Sequence, residues 1–306
     1  MATPPVQQAY AFPTYFEDEY VVVRQPEVPL ALGALEIVLK KEESPEDSYR
    51  RIYGVYQRLK SYWSEPSPQG NVLAAGSYFL ERRDEAAKSC LRQIIPYANG
   101  GFRACIQQVI VTWNLLCPKL AWTSHKVLGT AADLQAALRK ELTQVRANVA
   151  VAGTDAFCRA DRINAQKIHE TEHTRLLCNF KPLTKNDNLI TSKEHKQIFD
   201  ETTFVEAMSL GKRVNAEYAK VGYPIGYLTM ADHKFAGQTV PHAHIHVSAA
   251  SGLTEELLGI ATVARKILFD SWAAMLYPPL FCLSDKALQV PIAAAKETLK
   301  SLLPHS

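Results

Sequence analysis

Three histidines stand at alternate positions in one five-residue window, His242, His244 and His246 in TVPHAHIHVS, in a chain of 306 residues that has nine histidines. Side chains of a strand alternate between its two faces, so this spacing puts three imidazoles on one face and sends Ala243, Ile245 and Val247 to the other, into a core. Three readings of such a row compete. A merely solvated strand face would favour Thr, Lys or Glu over three histidines. Neutral imidazoles at HxH spacing are also a zinc-ligand pattern, but apart from Asp232 and His233 no additional ligand stands at short range, which weighs against it. The third reading is nucleophilic attack on phosphorus by an imidazole that is neutral near pH 7 and held in one tautomer. Its natural nucleophile is His244, flanked on its own face by two groups able to hydrogen-bond phosphate oxygens or a leaving group. Just upstream, AGQTVP offers Gly237, the amide of Gln238 and the hydroxyl of Thr239, small donors suited to a transferring phosphoryl group. This reading needs no metal or other cofactor.

A weak internal repeat organises the rest. Slid against itself by 153 residues, the sequence sets Phe16 on His169, Glu17 on Glu170, Pro29 on Pro182, Ile37 on Ile190 and Lys40 on Lys193. The order of predicted elements repeats too. EDEYVVVRQ and LGALEIVLKK read as strands, SPEDSYRRIYGVYQRLKSYW as a helix opened by a Ser cap, and NVLAAGSYFL as a third strand. TEHTRLLCNF, NDNLITSKE, a helix from about Asp200 to Ala219 and IGYLTMA replay that order. Aligning Gly101 with Gly237 makes FRACIQQVIVTWNLL the fourth strand of the first half and Glu81 to Gly100 a charged insert of about 17 residues. In that alignment Ile106, Gln108 and Ile110 replace the three histidines. Helices are further expected over Ala131–Ala147, Glu255–Ala274 and Asp285–Leu303.

AGQTVPHAHIHV resembles the signature of the histidine triad (HIT) superfamily: a His at alternate positions with apolar residues between, after a G-Q-S/T-V lead-in. The stretch from Asp155 agrees, with its Phe157–Cys158 pair, its Pro182-Leu183-Thr184 loop and a strand ending Lys193-Glu194-His195. The resemblance covers roughly Asp155–Ser251. It implies an α+β fold with an antiparallel meander sheet and flanking helices, and chemistry at the α-phosphate of a nucleotide conjugate through a covalent nucleotidyl-histidine. His244 would carry the intermediate, His246 orient and polarise it, and His242 contact phosphate or leaving group. Gly237, Gln238 and Thr239 would meet phosphate oxygens. A His at the third triad position is similar to the hydrolase branches, whereas transferase and phosphorylase branches tend to carry Gln. Three departures bear on base and leaving-group preference. Asn179 stands where the family usually has a ribose-binding Asp, and a frequent third-strand Asn falls near Ala231 or Asp232. The Trp-bearing tail of the nucleoside phosphoramidases is replaced by SAASGLTEELLG.

The expected organisation is therefore two HIT-like halves in an intrachain pseudo-dimer, residues 1–150 being degenerate or a cap and 151–306 carrying the site. An unrelated amino-terminal domain, as in the scavenger mRNA decapping hydrolases, is the rival. A monomer is expected from the fused pair, or a homodimer through its outer strands. Tyr53, Tyr56, Tyr62 and Trp63 at helical spacing read as core rather than a base-stacking platform, and Lys40 and Lys41 as a solvated strand end. The partner is a nucleotide-containing small molecule. A net charge of +3 with no like-charge run gives no strong nucleic-acid signal, and no apolar stretch approaches membrane length. Six scattered cysteines without a CxxC pair and the absence of a leader pattern at the start point to a reducing, cytoplasmic setting.

Overall fold

A computed structural model describes residues 14–64, 76–97, 155–262 and 285–302 apart from single positions, with scattered residues between 107 and 115. Ten strands join in one sheet: β1 (Thr14–Glu17), β2 (Val21–Arg24), β3 (Leu35–Leu39), β4 (Gly76–Asp84), β5 (Ser89–Tyr97), β6 (Lys167–Glu170), β7 (Thr174–Cys178), β8 (Asn186–Ser192), β9 (Ile225–Asp232) and β10 (His244–Ala250). Their order across the sheet is β1-β2-β3-β5-β4-β9-β10-β8-β7-β6, all pairs antiparallel. The order is its own mirror image about the β4–β9 seam: each half contributes three meandering strands, a helix and a closing hairpin. The α+β pseudo-dimer expected from the sequence is thus present as a duplicated topology.

Strand registers make the repeat quantitative. Val23 pairs with Ile37 and Glu36 with Gln93, while Leu176 pairs with Ile190 and Leu189 with His246. Every one of those first-half positions lies 153 residues before its counterpart. The same offset places Ser89, Leu91 and Gln93 of β5 where the second half has His242, His244 and His246. This corrects the alignment through Gly101. The expected insert at Glu81–Gly100 is the β4–β5 hairpin itself, and the described positions of the expected strand FRACIQQVIVTWNLL, 107, 110, 111 and 113–115, are helical. Ile106 and Gln108, the expected helix at Ala131–Ala147 and the division near residue 150 lie outside the described residues.

Helix α1 (Pro45–Ser64) begins after Ser44, whose Oγ accepts from the Asp47 N–H at 3.1 Å, with Pro45 in the first turn where no amide donor is needed. Helix α3 (Glu201–Lys220) begins after Asp200, whose carboxylate accepts from the Thr203 N–H at 2.9 Å. Both pack on one face of the sheet. Tyr53 and Tyr56 of α1 meet Phe204 of α3, so these aromatics are core as expected, and the side chains of Tyr62 and Trp63 lie outside the described residues. Beneath them Ile37, Ile94, Ile190, Ile245, Val247 and Leu228 form the main core. At Gly211 and Gly226 the helix sits directly on the sheet. A Cβ would stand 2.7 Å from Leu228 Cδ2 at the first and 2.7 Å from Asn215 Cγ at the second. Short α2 (Ala160–Gln166) and the carboxy-terminal α4 (Asp285–Thr298) complete the described helices with a turn of helix over 253–259. Lys40 and Lys41 pair with Glu17 and Glu19 at the strand ends, as expected of a solvated edge. No helix among the described residues is long and apolar enough to cross a membrane.

Candidate active site

The sheet face opposite α1 and α3 carries the histidines. Cross-strand register arranges this face in rows. His246 lies between Thr229 of β9 and Leu189 of β8, and Leu80 and Leu177 lie beyond them. One row along, Ser248 lies between Tyr227 and Asp187, with Arg82 of the first half beyond Tyr227. The same register puts Ala231 on the histidine face and Asp232 on the helical face. There Asp232 accepts from Tyr56 Oη at 2.8 Å and pairs with Lys60, so it is a strut between the halves and not the missing third-strand Asn.

His244 is almost enclosed, 6% exposed, with the Phe157 ring centroid 5.3 Å from its own. Its Nδ1 lies 2.7 Å from the carbonyl oxygen of His242, an acceptor only, so Nδ1 carries the proton and donates it. Nε2 then holds the lone pair, and no described residue bonds it. Burial pushes the imidazole pKa down to about 4, aided by the charge of His246, against the opposing pull of the His242 carbonyl. The ring is therefore neutral at ordinary pH with its nucleophilic nitrogen fixed by tautomer.

His246 is more open, its side chain 32% exposed, and its Nδ1 lies 3.6 Å from Asp187 Oδ1. Asp187 was invisible in the sequence as a site residue. It is buried and accepts from Ser248 Oγ and from Asn179 Nδ2, both at 2.8 Å. Asn179 is buried beside it and also accepts from the Lys181 N–H at 2.9 Å, which holds the start of the loop after β7. Its amide therefore gives one N–H to Asp187 at the site's edge. Gln238 is also turned inward. Its Oε1 accepts from the His233 N–H at 3.3 Å and its Nε2 donates to the Gln197 carbonyl at 2.9 Å, bracing the turn where His233 adopts a left-handed φ of 88°. Gly237 takes φ 98° in the same loop, and Thr239 lies outside the described residues.

His242 differs most from expectation. It is 0% exposed, and its Nε2 donates to the Ser192 carbonyl at 3.0 Å. Nδ1 faces Asp155 at 3.3 Å and Cys158 Sγ at 3.7 Å. Both ring nitrogens face protein, which leaves none for the phosphate contact the resemblance implied. Asp155, Cys158, His195 and His242 form a cluster whose candidate ligand atoms all lie within 4.8 Å of one another. His195 Nδ1 stands 2.8 Å from Asp155, and its Nε2 is buried without a partner. Burial would raise the Asp155 carboxyl, but donation by the Cys158 thiol and the charge of His242 outweigh it and hold the group low.

One thiol, two imidazoles and a carboxylate make a donor set that fits four-coordinate zinc, with His195 turning its Nδ1 toward Asp155 and Cys158. The sequence expectation is a site without metal, and Asp155, Cys158 and His195 are not among the neighbours weighed there. A metal here would brace the strand that presents His244. Chain purified without chelator is expected to hold about one zinc per molecule by elemental analysis, and Cys158→Ser or His195→Ala to lose most of it. Metal content unchanged in both variants would refute a ligand role for these side chains.

Residues 160–251 match the family model described as HIT domain. No curated protein matches the sequence. Among solved structures, a uridylyltransferase aligns over 99% of this chain and 94% of its own at 12% identity and TM-score 0.49. An ADP-glucose phosphorylase from Arabidopsis thaliana with bound ADP-glucose aligns over 78% of this chain and 76% of its own at 10% identity and TM-score 0.44. A Zn-bound histidine triad family protein from Mycobacterium smegmatis aligns over 34% of this chain and 86% of its own at 21% identity and TM-score 0.27.

Proposed function

We infer that this chain, whose residues 160–251 are a histidine triad domain, is a nucleotide-processing enzyme that attacks the α-phosphate of a nucleotide conjugate with His244 and hydrolyses the product. The observation that carries the reading is the His244 ring: neutral, its Nδ1–H fixed on the His242 carbonyl, its Nε2 unpartnered among described residues. In the first step Nε2 donates its lone pair to phosphorus and the bond to the leaving oxygen or nitrogen breaks. The charge that develops on the ring falls against the His242 carbonyl, already aligned at 2.7 Å. His246, the more exposed neighbour, with ring centroids 5.6 Å apart, is placed to give a proton to the leaving group. In the second step water attacks phosphorus and gives its proton to His246, which lost one in the first step, while the P–N bond breaks and its electron pair returns to Nε2. A His at the third triad position supports water as the acceptor.

A second reading keeps the covalent step and replaces water by phosphate or a second substrate. The duplicated halves on one sheet favour it, because two-unit single chains of the superfamily include transferases and phosphorylases. The protein is to be incubated with dinucleoside polyphosphates, nucleoside phosphoramidates and cap analogues, with and without phosphate. Release of mononucleotide in either condition supports hydrolysis. Turnover that requires phosphate and yields a nucleoside diphosphate supports the second reading. Binding without turnover would leave a nucleotide-binding pseudoenzyme and overturn both.

A further inference from the structure

On the helical face, where the two halves meet, a cluster of charges stands apart from the histidine site. Glu81 of β4 is 0% exposed and is held by Arg83 Nε and Arg92 Nε, each at 2.6 Å, and by Tyr49 Oη at 3.0 Å. Each guanidinium uses one nitrogen on this carboxylate. Their remaining nitrogens have no partner among the described residues, and the side chains are 21% and 11% exposed.

A third cation lies over the same spot. Lys212 of α3 follows Gly211, which rests on Leu228, and precedes Asn215, which rests on Gly226. The β4 partners of Leu228 and Gly226 are Glu81 and Arg83. Lys212 is half-buried and makes no hydrogen bond or ion pair among the described residues. Burial and the neighbouring Arg83 and Arg92 hold its ammonium pKa down. Three cations thus share one carboxylate where β4 and β5 of the first half meet α3 of the second. Water solvates such an excess poorly there, and like charges repel.

We propose that Arg83, Arg92 and Lys212 form a binding site for a small doubly charged oxyanion of the phosphate or sulfate class, seated between the two halves on the face away from the histidines. The planar guanidiniums offer paired donors to the oxyanion and Lys212 closes it from the helix side. The bound ion would join β4, β5 and α3, and so both halves. This site goes beyond the nucleotide reading and does not depend on it.

Thermal unfolding of the full chain in phosphate or sulfate, against chloride at matched ionic strength, tests the assignment. The expected result is a saturable rise in Tm of roughly 3 °C at tenfold excess over Kd. Lys212→Met is expected to remove this rise while leaving the Tm in chloride unchanged or higher, because it relieves repulsion. Lys220→Met, on an exposed turn of the same helix, is expected to keep it. No rise beyond chloride in the wild type, or the same saturable rise in Lys212→Met, would overturn the site.

Discussion

Replacing His244 by Ala or Asn is expected to lower turnover of the best nucleotide conjugate by about 10⁴-fold or more and to abolish a covalent nucleotide adduct that the wild type forms. The size follows from the ring's position. His242 has both nitrogens engaged and His246 is shifted by two residues along the strand, so neither can reach the phosphorus approached by His244 Nε2. Asn fills most of the volume of the imidazole, and an unchanged Tm in His244→Asn would show that the loss is chemical. Since burial sets the His244 pKa at about 4, the ring stays neutral across ordinary pH. An acid limb in kcat/KM above pH 5 therefore belongs to another group. Mass spectrometry of the intact chain after a brief mix with substrate reads the adduct directly. An adduct that persists in His244→Ala would move the nucleophile elsewhere and end the proposal.

Glu81→Ala is expected to destabilise the chain by about 3–5 kcal/mol, lowering Tm by roughly 10 °C. The carboxylate is fully enclosed and answers two guanidiniums that are themselves mostly buried. Burial alone would raise its pKa, yet Arg92 and Arg83 outweigh burial and hold it low, so the group stays charged in the fold. Its stabilisation is present above the ordinary carboxylate range and declines as pH falls through the lowered folded value. Removing it leaves two uncompensated cations beside Lys212. Calorimetric or fluorimetric melting at neutral pH measures the cost. A loss below about 1 kcal/mol would mean that water already solvates the cluster.

The triad strand was legible because period two is a strong local code, and β10 begins at His244 with Ile245 and Val247 in the core as alternation requires. The repeat was legible at an offset of 153 because β2, β3 and their second-half counterparts keep register. It failed at the first half's last strand for a physical reason. Glu81, Arg83 and Arg92 read as part of a charged insert, although the two guanidiniums pair with the one carboxylate inside the β4–β5 hairpin. The β-branched run in FRACIQQVIVTWNLL imitated a strand, whereas its described positions are helical. Asp155, Cys158 and His195 could not be joined to His242 from spacing, because the meander and not the local sequence brings them together. Asp187 looked like an ordinary polar residue in NDNLITS until register set it opposite Ser248.

The β4–β9 seam has a consequence of its own. Arg82 crosses it to pair with Glu256, which Tyr227 also engages. In an assembly of two identical chains, a change on one side of the axis is copied onto the other, so each contact must suit both. Here the two sides are separate stretches of one polypeptide, and the junction neither dissociates on dilution nor has to obey its own symmetry. One flank can therefore carry Ser89, Leu91 and Gln93 at the positions where the other carries its three imidazoles.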